Sequence, residues 1–251
     1  MSLIKTDEEI EQLRLDGKIL AQILKQTLKK VKAGVTTGEL NELAEKLVYD
    51  AGGEPSFKGY GEPVPFPAGL CTSVNEEIVH GIPGAKIIKE GDIVSLDIGM
   101  KKNGLYTDMA YTVAVGRIDH KTKTLLKVTA KALDIAIKNC VIGNTLGDIG
   151  YAIQTYVEKH GFGVVRDLVG HGVGHAVHEA PAIPNFGTPN SGEKLQAGMV
   201  LAFEPMVTMG NYEVDYCDDE WTIKTRDNSL SAHFEHSVAI TGKGPLILTN
   251  L

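Results

Sequence analysis

A weak similarity between the two halves of the chain constrains its fold more than any other sequence feature. Residues 34–40, Gly-Val-Thr-Thr-Gly-Glu-Leu, align with residues 143–149, Gly-Asn-Thr-Leu-Gly-Asp-Ile, at an offset of 109 positions. Residues 91–97 align with residues 198–204 at an offset of 107, and each run is apolar and ends in a carboxylate six positions after a glycine. Chance similarity of two helix-strand units is the alternative, and the paired carboxylates argue against it.

Repetition of such a unit predicts one domain over residues 1–251, built from two related halves of about 1–120 and 121–251 that face each other. With 43% hydrophobic residues, a chain of this length can bury a sizeable core.

Four segments carry helical signals. Thr6 and Glu9 form a capping-box pattern ahead of apolar residues at helical spacing, which predicts a long amphipathic helix that extends to about Val31. Boundary residues predict three further helices: one that follows Thr37-Gly38 and ends near Gly52, one from about Thr124 to Asn139, and one from about Gly147 to Gly161. Strand-like runs lie between and after them, so the expected fold class is α+β.

Composition argues against several classes of partner. The net charge of -7 and the lack of a dense basic run argue against a direct role on nucleic acid. No apolar run reaches the roughly 18 residues of a membrane span. Cys71, Cys140 and Cys217 are widely spaced and odd in number, as expected of reduced thiols. We therefore expect a soluble, cytoplasmic protein without a membrane partner, and a monomer.

Two aspartates share the small-residue faces of consecutive strand-like runs, Asp97 in residues 92–100 and Asp108 in residues 105–115. Residues 103–104, Asn-Gly, suit a type I′ turn between the runs. A two-residue loop and a four-residue loop both place the aspartates on one face, and the longer loop would set them directly opposite each other. Carboxylates that close repel each other unless a cation lies between them, so the pattern predicts a metal site.

The second half of the chain supplies matching acidic groups. Glu204 ends the strand-like run 199–203, and Glu235 alternates with apolar residues in the run 233–240. We therefore expect four carboxylates, on four strands, to face one cleft.

A glycine-rich segment, residues 168–179, contributes histidines. His171 and His175 are four positions apart, but the glycines at 170, 172 and 174 argue against the helix that a zincin motif requires. We expect a loop that carries one metal ligand, His171, and substrate contacts, with His178 as the other functional histidine.

The predicted ligands combine four carboxylates with one imidazole: Asp97, Asp108, His171, Glu204 and Glu235. One nitrogen among hard oxygens favours manganese, iron, cobalt or zinc over calcium. Two divalent cations would balance the four carboxylates and activate a water near neutral pH, whereas one cation would leave the site over-acidic.

Over nearly its whole length the chain resembles the short, bacterial type I methionine aminopeptidases of the pita-bread metallopeptidase family. The motifs that carry the resemblance are Cys71-Thr-Ser-Val-Asn-Glu-Glu-Ile-Val-His-Gly-Ile-Pro83, Gly91-Asp-Ile-Val-Ser-Leu-Asp-Ile-Gly99, Val169-Gly-His-Gly-Val-Gly-His175, Phe203-Glu-Pro-Met206 and Ser231-Ala-His-Phe-Glu-His236. Together these motifs are highly specific.

The resemblance implies a pita-bread fold, in which a pseudo-twofold, curved antiparallel sheet has helices outside and a two-metal centre inside. It further implies that Asp97 and Asp108 chelate the cations, that Glu235 bridges them, and that His171 and Glu204 complete the ligand set.

The resemblance also implies the chemistry. His80 and His178 would contact the substrate and act with Glu204 in catalysis. The walls of the methionine pocket would be Tyr60, Phe66, Cys71 and Trp221. The expected activity is removal of the initiator methionine from nascent polypeptides, near the ribosome, when the second residue is small. The two divalent ions would be cobalt, manganese, iron, zinc or nickel.

Three departures from the usual family pattern fall near the expected pocket. Residues 60–67, Tyr-Gly-Glu-Pro-Val-Pro-Phe-Pro, form a longer loop than the compact family pattern. Val177 stands where a larger residue is common, and residues 217–221, Cys-Asp-Asp-Glu-Trp, vary the usual turn. These changes bear on the pocket and leave the metal ligands in place.

Two other readings of the sequence compete. A prolidase or aminopeptidase P resembles the same catalytic half, but it normally carries a large additional N-terminal domain, whereas only about 90 residues precede Gly91 here. The second competing reading is a non-catalytic pita-bread module that binds peptides or proteins. Such modules tend to lose metal ligands, whereas all five candidate ligands are present here.

Overall fold

The computed structural model describes residues 3–250 as an α+β fold of helices and antiparallel strands. The helices are α1 Asp7–Leu28, α2 Thr37–Asp50, α3 His120–Asn139 and α4 Leu146–Lys159. The strands of the first half are β1 Glu54–Pro55, β2 Leu70–Val74, β3 Glu77–Val79, β4 Ile93–Lys102 and β5 Leu105–Ala114. The later strands are β6 Gly163–Val164, β7 Gly170–Gly172, β8 Glu179–Ile183, β9 Val200–Phe203, β10 Met206–Thr208, β11 Val214–Tyr216, β12 Ile223–Thr225, β13 Ser231–His233, β14 His236–Thr241 and β15 Gly244–Ile247.

The helix boundaries follow local capping chemistry. At the start of α1, the Thr6 hydroxyl accepts from the backbone N–H of Glu9, whose carboxylate accepts from the backbone N–H of Thr6. Helix α3 begins four residues before the predicted start at Thr124, because the Asp119 side chain accepts from the backbone N–H groups of Lys121 and Thr122.

Equivalent features recur in the two halves at the spacing seen in the sequence. Helices α2 and α4 are both 14 residues long and both start with a capping box. Their N-cap residues form isolated antiparallel bridges, Thr36 with Ile87 and Thr145 with Lys194. These bridges repeat at the offsets of 109 and 107 positions that align the two halves.

The hairpin of β4 and β5 sets the relation between the two aspartates. Asn103 and Gly104 have φ angles of 51° and 81° and form the two-residue loop, as a type I′ turn requires. Asp97 therefore pairs with Ala110, and Asp108 lies two residues before Ala110 in β5. The two aspartates share a face diagonally, and the directly opposed arrangement of a four-residue loop does not occur.

The two halves meet where β12 pairs with β3 and at a short seam between β5 and the segment that joins β13 to β14. Ala110 and Glu235 exchange backbone hydrogen bonds of 3.4 and 2.9 Å. On either side of this pair a hydroxyl group both donates to and accepts from the backbone of the other half: Thr112 with His233, and Ser237 with Asp108. Because the seam holds Asp108 and Glu235 by their own backbones, it fixes both carboxylates in one frame.

The helices pack against the sheets. Helices α1 and α2 bury Leu20, Leu24 and Val48 with Leu70 and Leu96 of β2 and β4. Helices α3 and α4 bury Leu125 and Ile153 with Phe203 and Val238 of β9 and β14. Within residues 3–250, no helix is long and apolar enough to cross a membrane.

Candidate metal centre

One cavity of about 500 Å³ collects the acidic groups of both halves. All five residues that the sequence predicts as metal ligands line it: Asp97, Asp108, His171, Glu204 and Glu235. Asp108 and Glu235 are each 2% exposed and Asp97 is 8% exposed, so ordinary solvated surface carboxylates are excluded.

The carboxylates come from strands and strand ends. Asp97 and Asp108 lie within β4 and β5, whereas Glu204 directly follows β9. Glu235 lies in the two-residue break between β13 and β14, so the expectation of four carboxylates on four strands is wrong for these two glutamates. The break arises because the backbone of Glu235 pairs with Ala110 across the seam.

Three of the predicted ligands form a tight cluster. One donor atom each from Asp108, His171 and Glu235 lies within 4.8 Å of the other two. His171 Nε2 is 3.5 Å from Glu204 Oε1 and 4.0 Å from Asp108 Oδ2. Atoms at these separations can share a cation, since ligand bonds to divalent metals are roughly 2 Å long.

His171 lies in strand β7, which pairs with β8 and β9, so the expectation of a loop at this ligand is wrong. The residue is held in one tautomer. Its Nδ1 lies 2.9 Å from the carbonyl oxygen of Gly172, to which it donates, so Nε2 keeps a lone pair toward the carboxylates. A Cβ atom on Gly170 would lie 2.4 Å from the carbonyl oxygen of Ala202, and one on Gly172 would lie 2.3 Å from that of Ala180. The glycines therefore allow the close backbone approach that brings His171 to the carboxylates.

A buried ion pair holds the segment that joins β7 to β8. Lys5 Nζ contacts Glu179 Oε2 at 2.6 Å, and both side chains are almost fully buried. The other oxygen of Glu179 accepts from the backbone N–H groups of His175 and Ala176. The segment before α1 therefore fixes the connection that follows His171 and carries His178.

Burial raises the pKa of every clustered carboxyl group. It raises the pKa of Asp97 to about 7 and the pKa of Glu204 to about 8. The pKa values of Asp108 and Glu235 are raised well above the ordinary range, first by burial and then by the neighbouring carboxylates. Asp97 Oδ1, Asp108 Oδ1 and Glu235 Oε1 have no hydrogen-bond partner within residues 3–250. Buried, unpaired oxygens of this kind fit divalent cations as their partners.

Burial acts on the histidines in the opposite direction. It lowers the pKa of His171 to about 3 and that of His80 to about 4, and it lowers the pKa of His178 as well. All three are therefore neutral imidazoles that can bind a metal or hydrogen-bond a substrate. His80 also has a φ of 58°, a backbone conformation that is uncommon outside glycine and is found at functional sites.

The free energy of unfolding of the protein in EDTA should fall by at least about 1 kcal/mol between pH 6.5 and 8.5. The unfolded chain has already lost the Asp97 and Glu204 protons in this range, whereas the folded state retains them until its pKa values near 7 and 8 are passed. Histidines with lowered pKa values destabilise the fold only below about pH 6.5, so they do not mask the effect.

Urea unfolding at several pH values measures this prediction. Manganese should reverse the trend, because cations bind the deprotonated carboxylates and displace their protons. Stability in EDTA that is constant from pH 6.5 to 8.5 would contradict it.

Aromatic side chains form one wall of the cavity. The rings of Tyr60 and His178 are 4.8 Å apart, and those of Phe66 and Trp221 are 5.3 Å apart. Trp221 Nε1 donates to the carbonyl oxygen of Val64 at 3.0 Å, so the longer 60–67 loop is held against the pocket. Cys71 lines the same cavity. All the residues that the resemblance assigns to the methionine pocket thus lie together.

Several cavity residues were missing from the sequence-based set. Phe57, Val79, Leu168 and Met206 also line the cavity. Met206 lies two residues after Glu204, so alternation could have placed it on the same face. Phe57 follows no periodic pattern. Its ring fits because Gly99 has no side chain, and a Cβ there would lie 2.8 Å from the ring.

Comparisons with known proteins agree on one family. The model of metallopeptidase family M24 matches residues 11–242. The chain is 49% identical over 250 residues to the methionine aminopeptidase of Clostridium perfringens, covering 99% of both chains. It is 47% identical over 251 residues to methionine aminopeptidase 1 of Bacillus subtilis, covering 100% of both.

Solved structures give the same result for the fold. The crystal structure of methionine aminopeptidase from Thermotoga maritima matches with a TM-score of 0.96 and 46% identity, covering 99% of each chain. A prolidase from Pyrococcus furiosus matches with a TM-score of 0.75 and 23% identity, and the chain spans 66% of its length. The predicted pita-bread fold is confirmed.

Proposed function

The chain belongs to metallopeptidase family M24, and on that basis we propose that it hydrolyses the N-terminal methionine from peptides and proteins in the cavity described above. Relatives named methionine aminopeptidase match its full length at 47 to 49% identity. The prolidases are only 21 to 23% identical and support the fold alone. The chain is thus a metallo-exopeptidase and a hydrolase.

One observation carries the proposal for the metal chemistry. Buried carboxylates from both halves of the chain lie around one neutral histidine, and several of their oxygens have no hydrogen-bond partner within residues 3–250. The residues that would hold two divalent cations are Asp97, Asp108, His171, Glu204 and Glu235. When bound, the cations supply a Lewis acid and an activated water. The retention of all five residues argues against a non-catalytic peptide-binding module.

The histidines beside this cluster bind and orient the substrate. The ring of His178 lies 4.4 Å from that of His171, and both His178 and His80 line the cavity. Their lowered pKa values keep them neutral, so each can exchange a hydrogen bond with the scissile amide without adding charge. Glu204 lines the cavity beside His171, where its carboxylate would take a proton from the attacking water and pass it to the leaving amine.

The aromatic wall selects the methionine side chain. Phe66 and Cys71 are buried in one apolar cluster, and Trp221 packs against it. Burial raises the pKa of the Cys71 thiol well above its ordinary value, so the residue acts as a small apolar surface. A flexible thioether gains from burial and from sulfur-aromatic contact in such a pocket.

The second residue of the substrate should be filtered by size. A long side chain beside His80 and His178 would displace the scissile bond, and a shift of about 1 Å can cost about a hundredfold in rate. We expect methionine release from Met-Ala-Ser to exceed release from Met-Leu-Ser by at least about a hundredfold on manganese-loaded protein.

Peptides with proline in second place separate this proposal from its rival. Equal rates for Met-Ala-Ser and Met-Leu-Ser would refute the size filter. A strict demand for proline, tested with Ala-Pro and Met-Pro peptides, would instead assign the chain to the prolidase or aminopeptidase P reading. Metal binding without hydrolysis of any of these peptides would favour a binding module.

The cellular setting belongs to the same proposal. The substrates are nascent polypeptides that carry an initiator methionine, which the enzyme removes near the ribosome in the cytoplasm. The enzyme acts as a monomer. Residues 1–251 form one catalytic domain of two related halves, which the repeated bridges Thr36–Ile87 and Thr145–Lys194 support.

A further inference from the structure

His233 is a buried histidine at the metal cluster for which the proposed mechanism has no role. Its side chain is 1% exposed, and neither ring nitrogen has a hydrogen-bond partner within residues 3–250. Its Nε2 faces Glu204 Oε2 at 3.5 Å. A buried polar group without a partner costs free energy, so an unpaired imidazole that faces a carboxylate calls for a functional explanation.

The backbone of His233 directs this ring inward. The residue ends β13, where it is paired with Met206 of β10. Across the seam its N–H donates to the Thr112 hydroxyl at 2.9 Å, and its carbonyl oxygen accepts from the same hydroxyl at 2.6 Å. The backbone of His233 is thus held on both sides, and its side chain is buried.

Glu204 lies between two histidines, one on each of its oxygens. Oε1 faces His171 Nε2 at 3.5 Å, and Oε2 faces His233 Nε2 at the same distance. His171 lines the cavity, whereas His233 is not among the lining residues and lies behind the carboxylate. The two oxygens of Glu204 therefore have different environments, one toward the reacting groups and one toward a buried donor.

We propose that His233 is a positioning residue for Glu204: its Nε2–H donates a hydrogen bond to Oε2 and holds the carboxylate so that Oε1 is directed at the metal cluster. This inference rests on the proposed function, because it assigns His233 to the same site. The terminal torsion of a glutamate is broad, so a small rotation of the carboxylate closes the 3.5 Å gap. Without this donor, Oε1 would be free to turn away from the cluster.

Direct ligation by His233 is the rival reading. His233 precedes Glu235 by two residues, just as Asp108 precedes Ala110 in the other half of the seam. Relative to the paired residues of the seam, His233 therefore occupies the same position as Asp108, which is a predicted ligand. The buried placement of His233 behind Glu204 favours the hydrogen bond, and metal stoichiometry distinguishes the two roles.

The test compares His233→Gln, His233→Asn and His233→Ala with wild type by calorimetric titration with manganese. Residues that orient a ligand typically contribute 10- to 100-fold in metal affinity. We expect His233→Ala to bind the same number of manganese equivalents with about 10- to 100-fold weaker affinity, with turnover reduced in parallel. Glutamine places an amide N–H near the position of Nε2 and should restore most of the affinity, whereas the shorter asparagine should not.

His236→Gln is the matched control. His236 is the next histidine in the chain, and its Nδ1 lies 3.0 Å from the Thr249 hydroxyl, away from the cluster. The His236→Gln variant should leave manganese affinity unchanged. Urea unfolding in EDTA reports any loss of stability in each variant. If the alanine variant does not fold, the difference in manganese affinity between the glutamine and asparagine variants still tests the proposed hydrogen bond.

Equal manganese affinity in the glutamine and asparagine variants would overturn the proposal. Loss of a whole manganese equivalent in His233→Gln would also overturn it, in favour of direct ligation. Failure of the wild-type protein to release methionine would refute the proposed function but not the role of His233, because the comparison of manganese affinities needs no substrate.

Discussion

Asparagine in place of Asp108 is expected to abolish peptide hydrolysis without destabilising the metal-free protein. Loss of a ligand removes charge stabilisation of several kcal/mol, and each 1.4 kcal/mol is tenfold in rate, so turnover should fall at least about a thousandfold. Burial and the neighbouring carboxylates raise the pKa of Asp108 well above its ordinary value, so a neutral amide relieves repulsion in the absence of metal. Turnover of Met-Ala-Ser, bound manganese and urea unfolding in EDTA measure the three effects.

Asp16→Asn is the control for removing a buried carboxylate elsewhere. Asp16 is 2% exposed on α1 and accepts from the side chains of Gln12 and Asn103, outside the cavity. This variant should keep its metal and its turnover while losing some stability. If Asp108→Asn retained near wild-type turnover and undiminished metal, the assignment of Asp108 to a two-metal centre would be wrong.

Local chemistry made part of this fold predictable. The Asn103-Gly104 pair carries its own turn geometry, and the turn then fixes the register of β4 and β5. That register puts Asp97 and Asp108 on one face, as alternation predicts. The start of α1 was predictable for the same reason, since its capping box lies within four residues of sequence.

Long-range contacts explain what the sequence did not reveal. Alternation gives Glu235 and His233 the same face, but the break in the strand at Glu235 depends on Ala110, which is more than 120 positions away. The pocket position of Phe57 similarly depends on the missing side chain of Gly99. Such pairings become visible only after the two halves meet, because neither partner carries a local signal.

Glutamine in place of Glu204 should lower turnover by about 10²- to 10⁴-fold, the usual contribution of a general acid-base group. The substitution keeps the size of the side chain and an oxygen toward the cluster, but the amide cannot carry a proton. In the wild-type protein the carboxylate of Glu204 can take a proton from water and give it up again, which the amide cannot do. Turnover at saturating manganese, with bound metal measured on the same samples, tests the prediction.

The leaving group separates proton transfer by Glu204 from its role as a ligand. An alkyl amine must be protonated as it leaves, whereas p-nitroaniline leaves with little help. If Glu204 passes a proton to the leaving amine, the defect of Glu204→Gln should be at least about tenfold smaller on methionine p-nitroanilide than on Met-Ala-Ser. A ligand-only role predicts equal defects on both substrates, together with reduced bound metal.

Glu235→Gln provides the comparison. Glu235 is buried in the seam and is proposed to act only as a ligand, so the defect of this variant should be the same for both leaving groups. A loss below about tenfold for Glu204→Gln on Met-Ala-Ser would exclude the proton-transfer role.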